Sequence, residues 1–167
     1  MTINRRTVLA VPALALAAGC AQPSKFKTYN GPAVTRIVVQ KKARRMYLLD
    51  RTTPLRGYEI DLGFRPEGDK VVEGDGGTPE GHYVIDRRNP NSRYHLSLGI
   101  SYPNEEDIAK AEALGQRPGG DIFIHGTPTG TVITQRDWTW GCIAVENPEI
   151  EEIYAMVNVG TPISIYG

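Results

Sequence analysis

Cys142 is the residue in this chain best suited to covalent chemistry. It lies in Asp137-Trp138-Thr139-Trp140-Gly141-Cys142-Ile143, and Ile124-His125-Gly126 stands seventeen residues upstream. A cysteine nucleophile acts as thiolate, and a neighbouring imidazole can take its proton. Asp121-Ile122-Phe123-Ile124-His125 reads as a buried strand that delivers His125 into a loop. Gly126 then allows a close approach, and Gly141 allows a tight turn before the sulfur. Such a turn exposes backbone N–H groups able to hold an oxyanion. Only one other cysteine exists, Cys20, and it ends what reads as an export signal. Exported proteins normally oxidise their thiols in pairs. A lone thiol there is either buried and inert or kept for chemistry, and the histidine with its flanking glycines favours chemistry.

The elements that must position these residues read mostly as strands. Thr35 to Gln40 is β-branched, and a charged turn leads into Arg45 to Leu49, which suggests a hairpin. Lys41, Lys42, Arg44 and Arg45 read as the solvated turn of that hairpin. Leu55 to Leu62 alternates. Residues 63–81 hold six glycines and two prolines and are expected as loop. Tyr83 to Asp86 and Tyr94 to Ile100 return to strand. In the second, Tyr94, Leu96 and Leu98 share one face and His95 and Ser97 the other, so His95 and Ser97 become candidates to line a cleft. Arg87, Arg88, Asn89 and Asn91 read as turn residues, with carboxylate contacts as the alternative. His82 reads as exposed hairpin structure. Trp138 and Trp140 either wall a cleft or pack the loop.

Two helices are expected. Asn104 caps one that runs through Ile108 to Leu114 and stops at Gly115. Asn147-Pro148-Glu149 opens another, with asparagine as cap and Ile150, Ile153, Tyr154 and Val157 on one buried face. Pro162 to Tyr166 closes as a strand. The predicted fold is β-rich α+β: a single domain, sandwich or barrel, with two short helices.

The N-terminus sets the expected compartment. Arg5 and Arg6 precede an apolar run from Val8 to Ala18, too short to span a bilayer. Leu16-Ala17-Ala18-Gly19-Cys20 resembles a bacterial lipoprotein signal, which would lipidate Cys20. Asn4-Arg5-Arg6-Thr7-Val8-Leu9 resembles a twin-arginine export motif. Gln22 at the second place of the mature chain favours the outer membrane, so the expected location is periplasmic and lipid-anchored. The domain reading is signal over 1–20, tether over 21–33 and catalytic domain over 34–167. The formal net charge is zero, and no basic field exists to hold nucleic acid. The cysteines form no metal-ligand spacing, so neither metal nor other cofactor is expected.

From Gly74 onward the chain resembles the YkuD-type L,D-transpeptidase family. The matching residues are Gly74-Asp75-Gly76-Gly77-Thr78-Pro79-Glu80-Gly81-His82-Tyr83, Tyr102-Pro103-Asn104, Ile124-His125-Gly126-Thr127 and Thr139-Trp140-Gly141-Cys142-Ile143. The chain departs from many members at Trp140, where they carry histidine. It departs again at Ala144, where they carry arginine or asparagine. The resemblance implies that Cys142 attacks the carbonyl of the third, diaminoacyl residue of a peptidoglycan tetrapeptide stem. D-Alanine leaves, with His125 as base and then acid, oriented by the Gly126 carbonyl. Thr139, Trp140 and Gly141 would form the active-site loop, with Thr127 among the substrate contacts. An amine acceptor on another stem gives a 3-3 cross-link, and a lysine of an envelope protein gives an anchored protein. Water makes the enzyme a carboxypeptidase or amidase on the same stem. A non-catalytic wall-peptide-binding lipoprotein, with Cys142 buried, is the alternative of another class.

Overall fold

The computed structural model describes residues 24–167. The predicted signal with Cys20, and the first residues of the predicted tether, lie outside the described residues. Eight strands and two helices follow in chain order. They are β1 (Arg36–Gln40), β2 (Arg45–Asp50), β3 (Thr53–Glu59), β4 (Gly81–Asn89), β5 (Ser97–Ile100), α1 (Glu105–Glu112), β6 (Phe123–His125), β7 (Ile143–Ala144), α2 (Asn147–Met156) and β8 (Pro162–Tyr166).

The strands form one mixed sheet in the order β3-β2-β1-β8-β4-β5-β6-β7. β1–β8 and β6–β7 are parallel, and the other pairs are antiparallel. The sheet curls into a half-barrel. Just beyond β3, Asp61 pairs with Ala144 of β7 through two backbone hydrogen bonds of 2.9 Å, which ties the far ends together. Alternation drives the curl. Ile37 and Val39 of β1, Met46 and Leu48 of β2, and Ile163 and Ile165 of β8 all turn into one core. Each such side chain contributes about 1.5–3 kcal/mol by leaving water. Helix α2 lays Ile150, Ile153 and Tyr154 onto the same core.

The β-rich single domain with two short helices is the fold that the sequence predicts. Several local expectations change. Lys41 is buried, not solvated. Its ammonium bonds the carbonyls of Gly68 (2.5 Å) and Thr78 (2.7 Å) and the Glu80 carboxylate (3.0 Å). Asn104 caps α1 as expected, accepting from Glu106 and Asp107 N–H. Asn147 does not cap α2. The cap position is Glu146, whose N–H is held by Glu149 Oε2 at 3.0 Å, and the Asn147 amide is used elsewhere. β5 begins at Ser97, not Tyr94, because His95 takes a left-handed turn with φ 71°. Arg87 and Arg88 lie inside β4 rather than in a turn. Residues 24–27 lie against the domain. Lys25 Nζ donates to the carbonyls of Pro90 (2.7 Å) and His95 (3.0 Å), and Lys27 Nζ to that of Pro148 (2.9 Å).

The loop from Gly63 to Glu80 is organised by Asp75. Its carboxylate accepts from the N–H groups of Val71, Val72 and Gly77 at 2.8, 3.2 and 2.9 Å. It also accepts from the buried Lys70 ammonium (3.0 Å) and from Arg65 (2.9 Å). Burial alone would push this carboxyl up. The donors of Val71, Gly77, Lys70 and Val72 more than offset that and hold it well below the usual carboxylate range. The folded-state value is depressed, so this contribution is full above about pH 4, the ordinary value. It is lost as pH falls further, through the folded value. Replacing Asp75 by alanine strands five donors. Denaturant unfolding at pH 7 is expected to show a loss of about 2–4 kcal/mol, which narrows as the pH approaches the acid limit.

Candidate active site

β6 and β7 carry the site. Their parallel register pairs Ile124 with Ile143 and His125 with Ala144. Both isoleucines are buried in the core. Continuing the register one step back sets Phe123 beside Cys142. Side chains two apart share a face, so His125 and Cys142 project from the same face, opposite the isoleucines. Diagonal neighbours on adjacent strands stand on the order of 7 Å apart, within reach of long side chains.

His125 is held in one tautomer. Its Nδ1 lies 2.6 Å from the Gly126 carbonyl, which can only accept, so Nδ1 carries the proton. Nε2 is left as a bare acceptor. Tyr94 and Trp138 wall the ring, with centroids at 4.5 and 5.6 Å. This box buries His125. Burial lowers its pKa to about 4, with the Gly126 carbonyl opposing more weakly. Gly126 has no room for a side chain. A Cβ there would stand 2.3 Å from Asn147 Oδ1, the atom that accepts from Thr127 N–H at 2.8 Å. Asn147 thus ties the start of α2 to the loop after His125.

Cys142 is half-buried and is the free cysteine of the described residues. Its thiol donates to the Asp121 carbonyl at 3.5 Å. Burial pushes the thiol up, and the nearby Asp121 charge adds to this. The Phe123 N–H and the Lys70 ammonium pull the other way without reversing it. Both shifts favour a neutral thiol beside a neutral imidazole at pH 7, rather than a preformed thiolate–imidazolium pair.

The turn before the sulfur is tightly built. Gly141 has φ 123°, and a Cβ on it would meet the Gly77 carbonyl at 2.6 Å. Gly63 is pressed against Gly141 and the Gly76 carbonyl just as closely. The buried Thr139 hydroxyl donates to the Cys142 carbonyl (2.7 Å) and accepts the Gly141 N–H (3.2 Å). The Gly141 N–H therefore already has a partner. Trp140 is 72% exposed, edge-on to Phe64 at 5.0 Å.

His95 does not share a cleft face with Ser97. It turns away to bond Glu151 at 2.8 Å. Ser97 is buried opposite His125 in the β5–β6 register. His82 is exposed and bonds Ser164 (3.0 Å), on the β4–β8 side. Tyr94 and Asn147 are the residues of the site that the sequence reading missed. Tyr94 looked like a core position by alternation, and Asn147 looked like a cap.

A cavity of about 410 Å³ opens beyond His125, lined by Thr127, Trp138 and Ala144. Glu59, Asp61, Glu146 and Glu149 line its other side with Arg136. Arg136 pairs with Glu59 (2.6 Å) and Asp61 (2.8 Å). Burial pushes the Glu149 carboxyl up, and the charges of Glu146, Glu59 and Glu152 reinforce the shift against the Glu146 N–H. Among the described residues no group of three or more His, Cys, Asp and Glu side chains is placed to hold a metal ion.

Residues 34–165 match the YkuD family, the L,D-transpeptidase catalytic domain. The chain belongs to that family. Within it, the chain is 33% identical over 138 residues to YafK of Escherichia coli (strain K12), provisionally named an L,D-transpeptidase. The match covers 80% of this chain and 50% of YafK, so the chain spans about half the length of that relative. Among solved structures it is similar to the helical cell shape determining protein Pgp2 of Campylobacter jejuni. The TM-score is 0.63 at 27% identity, over 82% of this chain and 49% of Pgp2. Bd1075 of Bdellovibrio bacteriovorus gives 0.58 at 26% identity, over 80% and 48%. The curled sheet and two helices of this YkuD domain agree with those neighbours.

The protonation states have a measurable consequence. Alkylation of Cys142 by iodoacetamide is expected to be slow at pH 7 and to accelerate only above the ordinary thiol range. A plateau of high reactivity at neutral pH would reveal an ion pair and refute the neutral-pair reading. For turnover, the acid limb of kcat/KM is expected near pH 4, not at the ordinary histidine value of about 6.5.

Proposed function

We propose that this protein is a cysteine-dependent peptidoglycan L,D-transpeptidase. His125 carries the reading. Its Nδ1 is fixed on the Gly126 carbonyl, so Nε2 is a bare base on the face that bears Cys142. Membership of the YkuD family supplies the substrate class. The substrate is the tetrapeptide stem, cleaved after its third residue.

The steps follow from the groups present. The thiol turns from the Asp121 carbonyl, and Nε2 takes its proton as sulfur attacks the third-residue carbonyl carbon. The Cys142 N–H is the backbone donor for the developing oxyanion, since the Gly141 N–H is occupied by Thr139. The C–N bond breaks, and the proton on Nε2 passes to the departing D-alanine amine. A thioester remains. An acceptor amine attacks it, His125 removes the amine's proton, and the sulfur leaves and is reprotonated. The cavity beyond His125 supports an amine over water as acceptor. An amine arrives as a cation, which the carboxylate-rich lining attracts, and it gives up one proton to bulk water before it attacks as the free amine. Another stem or an envelope-protein lysine would supply it. Water in its place yields the carboxypeptidase or amidase, and product mass after incubation with tetrapeptide fragments decides between them.

Cys142→Ser is expected to abolish product formation while the melting temperature stays close to that of the wild type, because the volume change is small. His125→Ala is expected to slow acylation about 10²–10⁴-fold, and His82→Ala to leave it nearly unchanged. Equal losses at the two histidines would remove His125 from the role of base.

We further propose periplasmic anchoring through lipidated Cys20. Cys20→Ser is expected to block both the lipid modification and signal cleavage by the lipoprotein route, which changes the protein's mass and its membrane partition. An unchanged mass and partition would refute the anchor.

A further inference from the structure

One arginine outside the nucleophile–base pair reaches the same face. In register, Arg87 of β4 pairs with Gly99 of β5, Gly99 with Phe123 of β6, and Phe123 is followed by Cys142 at the start of β7. These residues form one row across four strands. Gly99 is the gap in that row. A Cβ on Gly99 would stand 2.5 Å from Arg87 Cγ and 3.0 Å from its Cζ. The arginine therefore lies across the glycine, and its guanidinium stacks on the Phe123 ring at 4.5 Å. It ends one strand spacing, about 4.8 Å, from the strand that bears the sulfur.

The Arg87 side chain is 42% exposed, and its charged partners are two carboxylates at the surface. It bonds the adjacent Asp86 carboxylate (2.8 Å) and the Asp121 carboxylate (3.1 Å), and the latter side chain is 90% exposed. An ion pair that open contributes little and exchanges readily. Asp121 is bracketed by the site: its side chain meets Arg87 and its carbonyl meets the Cys142 thiol. The acid-lined cavity lies at the other end of β6 and β7, past His125. On the other side of the reacting pair Arg87 is the cation, flanked by Asp86 and Asp121.

From this geometry we infer that Arg87 binds the free carboxylate of the residue that leaves. That carboxylate lies one residue beyond the scissile carbonyl, and Arg87 stands in the row of residues that ends at Cys142. Planar guanidinium recognises carboxylate through two parallel hydrogen bonds. Such a contact selects stems that end one residue after the cleaved bond. It rests on the proposed stem-peptide reading and adds the group that measures the stem's end.

The test is binding by Cys142→Ala protein, followed by calorimetry, to two probes. One is the tetrapeptide stem ending in D-alanine, and the other is its C-terminal carboxamide. The acid is expected to bind at least about tenfold more tightly, the order expected of a charge-assisted pair. Adding Arg87→Gln should collapse the difference to less than about twofold, and Arg87→Lys should retain part of it. Adding Asp121→Asn, which removes the competing carboxylate, should tighten the acid alone. Equal binding of acid and amide, a difference that survives Arg87→Gln, or no binding of either probe would overturn the assignment. Turnover by the unmodified protein separates this from the catalytic proposal. Acid-selective binding without turnover sinks the catalysis and leaves Arg87 in place. Equal turnover of acid and amide does the reverse.

Discussion

The parallel contact between β6 and β7 is the constraint on which the site depends. It is only two residue pairs long. Slipping it by one residue would turn Cys142 toward the core and bring Ile143 out onto the reactive face. A pairing so short cannot hold its own register. Ile124 and Ile143 fix it by burial, β5 braces β6 from the other side, and the Asp61–Ala144 bridge clamps the free edge of β7. The geometry of the candidate site therefore requires the curl of the sheet, because only a curled sheet brings the chain beyond β3 round to β7.

The electrostatics follow from the same packing. Tyr94 and Trp138 strip water from His125, and the tight turn at Gly141 sets the sulfur against the Asp121 carbonyl. Desolvation outweighs the Lys70 ammonium and the Phe123 N–H, so neither partner is charged at rest. That arrangement keeps the thiol less open to oxidation, since the thiolate is scarce at rest.

The sequence made Cys142, His125 and their glycines legible as candidates because each is a local motif. Asn104 was legible for the same reason: a cap bonds within three residues of itself. What escaped reading depends on distant partners. Lys41 sat in a basic cluster and looked solvated, yet three acceptors from residues 68–80 draw it inside. Tyr94 obeyed the alternation of a core strand until the left-handed turn at His95 broke the strand's phase. Asn147 had every mark of a helix cap, and only the approach of the loop after β6 to the start of α2 gives its side chain the Thr127 N–H instead. Arg87 was masked by its neighbours' turn-like composition, and its reach is set by a glycine on another strand.

The grip of Lys25 on the Pro90 and His95 carbonyls shortens the leash on which the domain would work. A free tether through residue 33 would let the cleft roam. With Lys25 fastened beside the Tyr94 wall of the cleft, five residues remain back to Cys20, a span of no more than about 18 Å when fully drawn out. A protein moored by fatty acids at Cys20 would then patrol only the wall layer next to the bilayer. Strands farther out would lie beyond its radius, and geography as much as affinity would choose which stems it meets.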